Sequence, residues 1–143
     1  IMLSTLAYNY NAPPIADERI LQNIKNTQVV AVQKKILERD NPIRDLYEYY
    51  LGEYYYTIRN FKDARIYKDN AFLHARKPIR ATVPLNNAIR GIAKKNKAIL
   101  LDIKKRIDDN SPNNMADFTL FFDHNHFNEK GRQLLMTAIC ERF

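Results

Sequence analysis

Apolar positions along the chain fall into two patterns, short unbroken runs and longer stretches with a spacing of three and four. Ile1-Met2-Leu3-Ser4-Thr5-Leu6-Ala7 is an unbroken run and reads as a buried strand entered at its first residue, which implies further residues upstream. Asn9-Tyr10-Asn11-Ala12-Pro13-Pro14 forms a turn-rich exit, and Asp17 can cap the next helix. Ile20, Leu21, Ile24, Val29, Val32 and Ile36 then recur at helical spacing, with a break near Asn26-Thr27. Asp40-Asn41-Pro42 ends that region, and Pro42 suits the first turn of a new helix. From Ile43 to Ala75 the pattern predicts a helical hairpin. Pro84 opens another helix, with Leu85, Ala88, Ile89, Ile92 and Ala93 on one face. Ala98-Ile99-Leu100-Leu101-Asp102 reads as a buried parallel strand, and Asp108 to Asn114 as a loop. A last helix starts near Asn128, capped by Asn128 or Glu129, and buries Leu134, Leu135, Ala138 and Ile139. A helix leading into a buried strand is half of a βαβ unit, so the fold class is α/β, helix-rich, with a parallel sheet.

Composition narrows this picture. At 143 residues, 45% hydrophobic and 27% charged, the chain can bury one ordinary core. Three glycines leave little scope for tight Gly-based turns, so helix should dominate. No stretch has the roughly 18 apolar residues of a membrane span, and the first residues lack the charged start and cleavage site of a signal peptide. Cys140 stands alone, which excludes an intrachain disulfide framework; it reads as a small core residue.

The formal charge of +7 comes from clusters at Arg76-Lys77 with Arg80, at Lys94-Lys95 with Lys97, and at Lys104-Lys105-Arg106. Each reads as a solvated face at the end of an element, where cations favour helix C-termini. Aromatics do not alternate with them, so no nucleic-acid partner is indicated.

Within the hairpin, Leu51, Gly52, Tyr55, Phe61, Ala64 and Ala71 match the spacing of a tetratricopeptide (TPR) repeat. Gly52 and Ala64 let two antiparallel helices approach, and Tyr55 and Phe61 fill the gap beside them. Six of the nine tyrosines fall between Tyr47 and Tyr56, more than one helix face can bury, so some must meet a neighbouring element or a partner. One such unit is not an array, and a packing role stands beside peptide binding.

The chemistry sits in Leu120-Phe121-Phe122-Asp123-His124-Asn125-His126-Phe127-Asn128-Glu129-Lys130-Gly131. Asp123 and His126 are three apart and can meet across a turn. A carboxylate that accepts from one ring nitrogen fixes the tautomer and leaves the other nitrogen to take a proton from a hydroxyl. Flanking Phe121, Phe122 and Phe127 would exclude water. A purely structural Asp–His pair capping the last helix is the competing reading. His124 reads either as a residue beside the pair in a pocket or as a surface histidine. A metal site from Asp123, His124 and His126 is conceivable, but only His74 remains as a further histidine. No cofactor or metal is therefore expected. Arg80 reads as an exposed arginine, Asn9 as a turn residue satisfying its own backbone or else as a residue lining the cleft, and Asn86 has no assigned role.

Asp-x-x-His followed by Asn and Gly (Asp123, His126, Asn128, Gly131) resembles the last block of the SGNH (GDSL-like) hydrolase superfamily. Pro78-Ile79-Arg80-Ala81, Asn86-Asn87-Ala88-Ile89-Arg90 and Asp123-His124-Asn125-His126 are similar to a bacterial subgroup with a TPR segment inserted in the hydrolase domain. Leu3-Ser4-Thr5 through Asn9 and Pro14 looks like the strand and exit after that family's third block. The resemblance implies a flavodoxin-like parallel-sheet core from residues 1–18 and 78–143, with a helical insertion over 19–77 that includes a hairpin at 43–75. It implies His126 and Asp123 as catalytic residues, with His124 and Asn128 beside them, in a serine ester or acyl hydrolase acting on an acylated small molecule, carbohydrate or lipid. The family's serine sits in a Gly-Asp-Ser-type motif that does not occur here. The only serines are Ser4, inside the first strand, and Ser111, in a polar loop. The nucleophile and oxyanion donors are thus expected upstream, and the 143-residue chain is expected to be inactive alone. The alternative is a protein-interaction domain, binding through the hairpin, with a degenerate hydrolase fold. Members of the subgroup are membrane-anchored through their N-terminus, which implies an extracytoplasmic place for this domain.

Overall fold

The computed structural model describes residues 1–16, 18–25, 28–38 and 41–142. The expected cap at Asp17, the break at Asn26-Thr27 and the stop at Asp40 lie outside the described residues. In chain order the elements are β1 (Met2–Ser4), α1 (Glu18–Lys25), α2 (Val29–Leu37), α3 (Arg44–Thr57), α4 (Phe61–Leu73), α5 (Val83–Lys95), β2 (Ile99–Leu101), α6 (Ile103–Asp109), a 3-10 turn (Pro112–Asn114) and α7 (Glu129–Cys140). The chain is therefore broadly α/β and helix-rich. Its residues divide into two compact units, one from 1–12 and 79–143, the other from 13–78.

In the first unit β1 and β2 form a two-stranded parallel sheet, with Met2 opposite Ile99 and Ser4 opposite Leu101. Helix α5 packs on both strands, and α6 packs on α7. Thr82 and Pro84 start α5: the Thr82 hydroxyl accepts from the Leu85 N–H, and proline in the first turn removes an N–H that would have no partner. Asp102 at the end of β2 caps α6 by accepting from the Lys105 N–H. Leu101, Ile103, Ile107, Met115, Ala116, Leu120, Phe121 and Ala138 are buried together with Tyr8, Tyr10 and Ala12.

That core also holds charge. Lys104 is buried, donates to Asp108 and to the Tyr10 hydroxyl (3.1 Å), and lies over the rings of Tyr8 (4.4 Å) and Tyr10 (4.5 Å). The Thr5 hydroxyl donates to Asp102 (2.8 Å) and accepts from the Lys104 N–H (2.9 Å). Arg90 grips Asp102 with two parallel bonds of 2.8 and 2.9 Å. Burial pushes the Asp102 carboxyl up, but the bonds from Arg90, Thr5 and Lys105 outweigh it and hold the group below the usual carboxylate range.

In the second unit α3 and α4 form the hairpin, and α1 and α2 pack on α3. Val32, Ile36 and Leu51 make one apolar cluster, joined by Val29, Tyr47, Tyr55 and Tyr67. A Cβ added at Gly52 would lie 2.6 Å from Lys68 Cγ and 3.1 Å from the Ala64 carbonyl oxygen, so the helices cross where only glycine fits. The tyrosines are absorbed largely within this unit: Tyr55 stacks on Tyr67 at 5.3 Å, Tyr56 meets Phe61 edge-on at 5.3 Å, and Tyr49 is buried beside Phe72.

Several expectations need correction. The first strand is not sealed: Met2 and Leu6 are exposed, because two strands alone leave much of a sheet's surface uncovered. The apolar face expected on α5 is covered at Ala93 and half-covered at Ile89, with Leu85, Ala88 and Ile92 exposed. Cys140 is exposed, not a core residue, because it lies across the helix from buried Ala138. The basic cluster at 104–106 is not a solvated end but part of α6, a helix that the apolar pattern does not reveal, and its first member is buried.

Candidate functional site

Residues 121–127 form a closed loop at the start of α7. Phe121 and Phe127 pair in an antiparallel bridge with ring centroids 4.7 Å apart, and the Phe122 N–H donates to the His126 carbonyl at 2.9 Å. Asn128 joins the loop to the helix. Its Oδ1 accepts from the Gly131 N–H (3.1 Å), capping α7, and its Nδ2 donates to the Phe118 carbonyl (3.2 Å). Gly131 is required there, since a Cβ would fall 2.2 Å from the Leu120 carbonyl oxygen and 2.7 Å from the Phe127 ring.

Asp123 turns the chain at the loop's tip. Its Oδ1 accepts from the N–H groups of Asn125 (3.0 Å) and His126 (2.9 Å), the side-chain turn that Asp favours. The same carboxylate meets the ring: His126 Nδ1 lies 2.8 Å from Oδ2 and 3.0 Å from Oδ1. The backbone N–H groups of Asn125 and His126, and then the His126 ring, hold the Asp123 carboxyl well below its usual range. An ionised carboxylate can only accept, so Nδ1 carries the proton and Nε2 of the neutral ring keeps its lone pair. The His126 side chain is 75% exposed and Asp123 47%, so that lone pair faces open solvent. Among the described residues no group hydrogen-bonds Nε2.

The expected site residues are thus partly assembled. Asp123 and His126 are paired and Asn128 braces their loop. His124 lies in the same turn, half-buried, and its carbonyl accepts from the Asn9 N–H at 3.0 Å. Phe121 is buried, but Phe122 is 67% exposed, so the expected exclusion of water on that side does not hold. Neither serine approaches the ring. The Ser4 hydroxyl donates to the Thr5 carbonyl, and that of Ser111, buried, to the Ile107 carbonyl at 2.7 Å. Among the described residues no three His, Cys, Asp or Glu side chains gather to hold a metal ion, and no helix is long and apolar enough to cross a membrane.

Sequence reasoning found one support in part: Asn9 does satisfy its own turn, with its Oδ1 accepting from the Asn11 N–H at 2.8 Å. It missed the rest. Asn9 is wholly buried and its Nδ2 donates to the Asp123 carbonyl at 2.9 Å, across 114 residues of chain. Arg80 is half-buried and donates to the Ala12 carbonyl (2.6 Å), and Asn125 donates to the Ile79 carbonyl (3.1 Å). Asn86 is buried and its amide bonds both the N–H and the C=O of Leu6, at 2.9 Å each. A polar residue beside two buried tyrosines was the one local signal for Asn9; nothing local pointed to its distant partner.

Fold and site together define an α/β protein carrying an exposed Asp–His dyad on the loop before its last helix. No protein-family model, curated protein or solved structure matches the chain.

Proposed function

We propose that Asp123 and His126 are the acid–base pair of an SGNH-type serine ester or acyl hydrolase, with the serine and the oxyanion donors supplied by polypeptide N-terminal to Ile1. One observation carries this reading: the carboxylate occupies Nδ1 and leaves a basic Nε2 open at the surface. In the reaction Nε2 takes the proton of the serine hydroxyl as its oxygen attacks the ester carbonyl. The imidazolium returns that proton to the leaving alcohol, and the acyl-enzyme is hydrolysed by a water deprotonated in the same way. Asp123 stabilises the imidazolium through both steps. The order Asp, His, Asn and Gly at 123, 126, 128 and 131 supports the superfamily, and the helical unit over 13–78 supports the subgroup with a TPR-like insertion. Substrates are then acylated small molecules, carbohydrates or lipids, and an N-terminal anchor would place the domain outside the cytoplasm.

The test is hydrolysis of an activated acetyl ester by a longer form of the protein that includes the residues before Ile1. His126→Ala should lower turnover by about 10²–10⁴, the usual contribution of a positioned general base. A change of only a few-fold would assign the base to another residue. The 143-residue chain alone should not exceed the background of free imidazole.

A second reading rests on the helical unit. Ile24, Val29, Val32, Tyr50, Leu51 and Tyr54, with Lys25 beside them, line a mainly apolar groove of about 170 Å³, and Tyr54 is 41% exposed. A groove of that lining suits a peptide partner of a non-catalytic domain. Full turnover in the longer protein would refute it as the sole function.

A further inference from the structure

We propose that Asn9 positions the Asp123–His126 pair; this rests on the acid–base reading above and adds a residue to it from the opposite end of the sequence. The pair itself is poorly packed, with both side chains about half exposed or more. A dyad so placed keeps its geometry only if the backbone beneath it is fixed. Asn9 supplies that fixation with three of its polar groups. Its backbone N–H donates to the His124 carbonyl (3.0 Å) and its Nδ2 to the Asp123 carbonyl (2.9 Å). Two consecutive carbonyls of the turn are thereby held by one residue, which fixes the peptide plane that follows the Asp123 Cα and the plane after it, between Asp123 and the His126 ring. The remaining side-chain atom, Oδ1, accepts from the Asn11 N–H at 2.8 Å, so the amide cannot rotate without breaking a second bond.

Asn9 is itself anchored where the turn is not. It is 0% exposed, and its neighbours Tyr8 and Tyr10 are buried, edge to face at 5.1 Å, around the Lys104 ammonium. The Tyr10 N–H donates to the Ala116 carbonyl at 2.7 Å. A buried amide whose partners are removed is costly, and a side chain without the donor leaves the Asp123 carbonyl unsatisfied. Asn is required over Asp at this position, because the carboxylate would face the Asp123 carbonyl with oxygen against oxygen. Leucine would lose every side-chain bond.

The reporter is the neutral-state tautomer of His126, read from its ¹⁵N ring shifts at a pH where the ring is uncharged. The unaltered chain should show the proton on Nδ1. Asn9→Ala and the near-isosteric Asn9→Asp should shift His126 to the Nε2-protonated form that free imidazole side chains favour, while circular dichroism shows the helices retained. Retention of the Nδ1-protonated form in a folded Asn9 variant would overturn the positioning role and leave the acid–base reading standing. An Nε2-protonated ring in the unaltered chain would overturn both. Should both variants unfold, the scalar coupling from Asn9 Nδ2 to the Asp123 carbonyl carbon, measured in the unaltered chain, decides the matter: its presence supports the role and its absence overturns it.

Discussion

At Asp123 the local backbone, more than the histidine, decides the charge state. Two N–H groups of its own turn donate to the carboxylate and hold it far below the ordinary aspartate value of about 3.9. A group whose folded pKa is depressed contributes fully above its unfolded pKa, and that contribution fades below it and is gone once pH has fallen through the folded value. Asp123 therefore stays ionised through mildly acidic pH. Any acid limb seen above that range in a pH–rate profile of the longer protein should survive Asp123→Asn as a titration, even though turnover falls. Gly131 makes a second prediction at this scale. Gly131→Ala drives a methyl into the Leu120 carbonyl oxygen, so overpacking should cost roughly 1–3 kcal/mol and lower the melting temperature. An unchanged melting temperature would show that α7 does not approach its loop so closely.

The helices end by a device the sequence hid. Few glycines suggested few tight turns, yet α3 and α5 both stop through a left-handed residue that is not glycine. Arg59 has φ 62° and Lys97 φ 52°. Around them the Asn60 N–H reaches the Tyr55 carbonyl (2.9 Å) and the Ala98 N–H reaches the Ala93 carbonyl (2.9 Å), the six-to-one closure of a Schellman motif. In that conformation a side chain meets a steric clash that glycine avoids, so Arg59→Gly and Lys97→Gly should each raise stability by about 0.5–1 kcal/mol in denaturant titration. A loss would mean that these side chains hold something their backbone does not show. Helix α6 escaped the sequence reading because its cap, Asp102, looked like the end of a strand and its basic run looked like surface. Its residues make sense only with Thr5 and Tyr10 from the first strand and its exit beside them. Asp102→Ala should cost roughly 2 kcal/mol, since it removes a helix cap, takes the acceptor from the Thr5 hydroxyl and leaves Arg90 with Asn87 alone. That contribution is complete above the unfolded aspartate value and fades as pH falls below it, because the folded group titrates lower.

For the whole chain, periodicity gave the helical hairpin, α5, β2 and the final helix, because each is fixed by spacing within a few residues, while the parallel sense of the sheet followed from the order of helix and buried strand. The Asp–His pair was legible for the same reason: three residues of separation bring the two groups together in one turn. What was not legible is what joins distant segments, namely Asn9 to Asp123, Asn86 to Leu6 and Lys104 to Tyr10. Burial was misjudged where an apolar pattern had no surface to meet, as on α5 and β1. The unit from 1–12 and 79–143 is interrupted where its two segments touch, since Arg80 donates to the Ala12 carbonyl at 2.6 Å. Replacing 13–78 by a short Gly/Ser linker should therefore leave that unit folded, with the Asp123 and His126 resonances unmoved.

The pairing of carboxylate and ring underlies the function proposed for this molecule, and the ¹⁵N spectrum of His126 in the unaltered chain addresses it most directly. A neutral ring protonated at Nδ1, reverting to Nε2 in Asp123→Asn, is the expected result. A ring protonated at Nε2 in both proteins would contradict it.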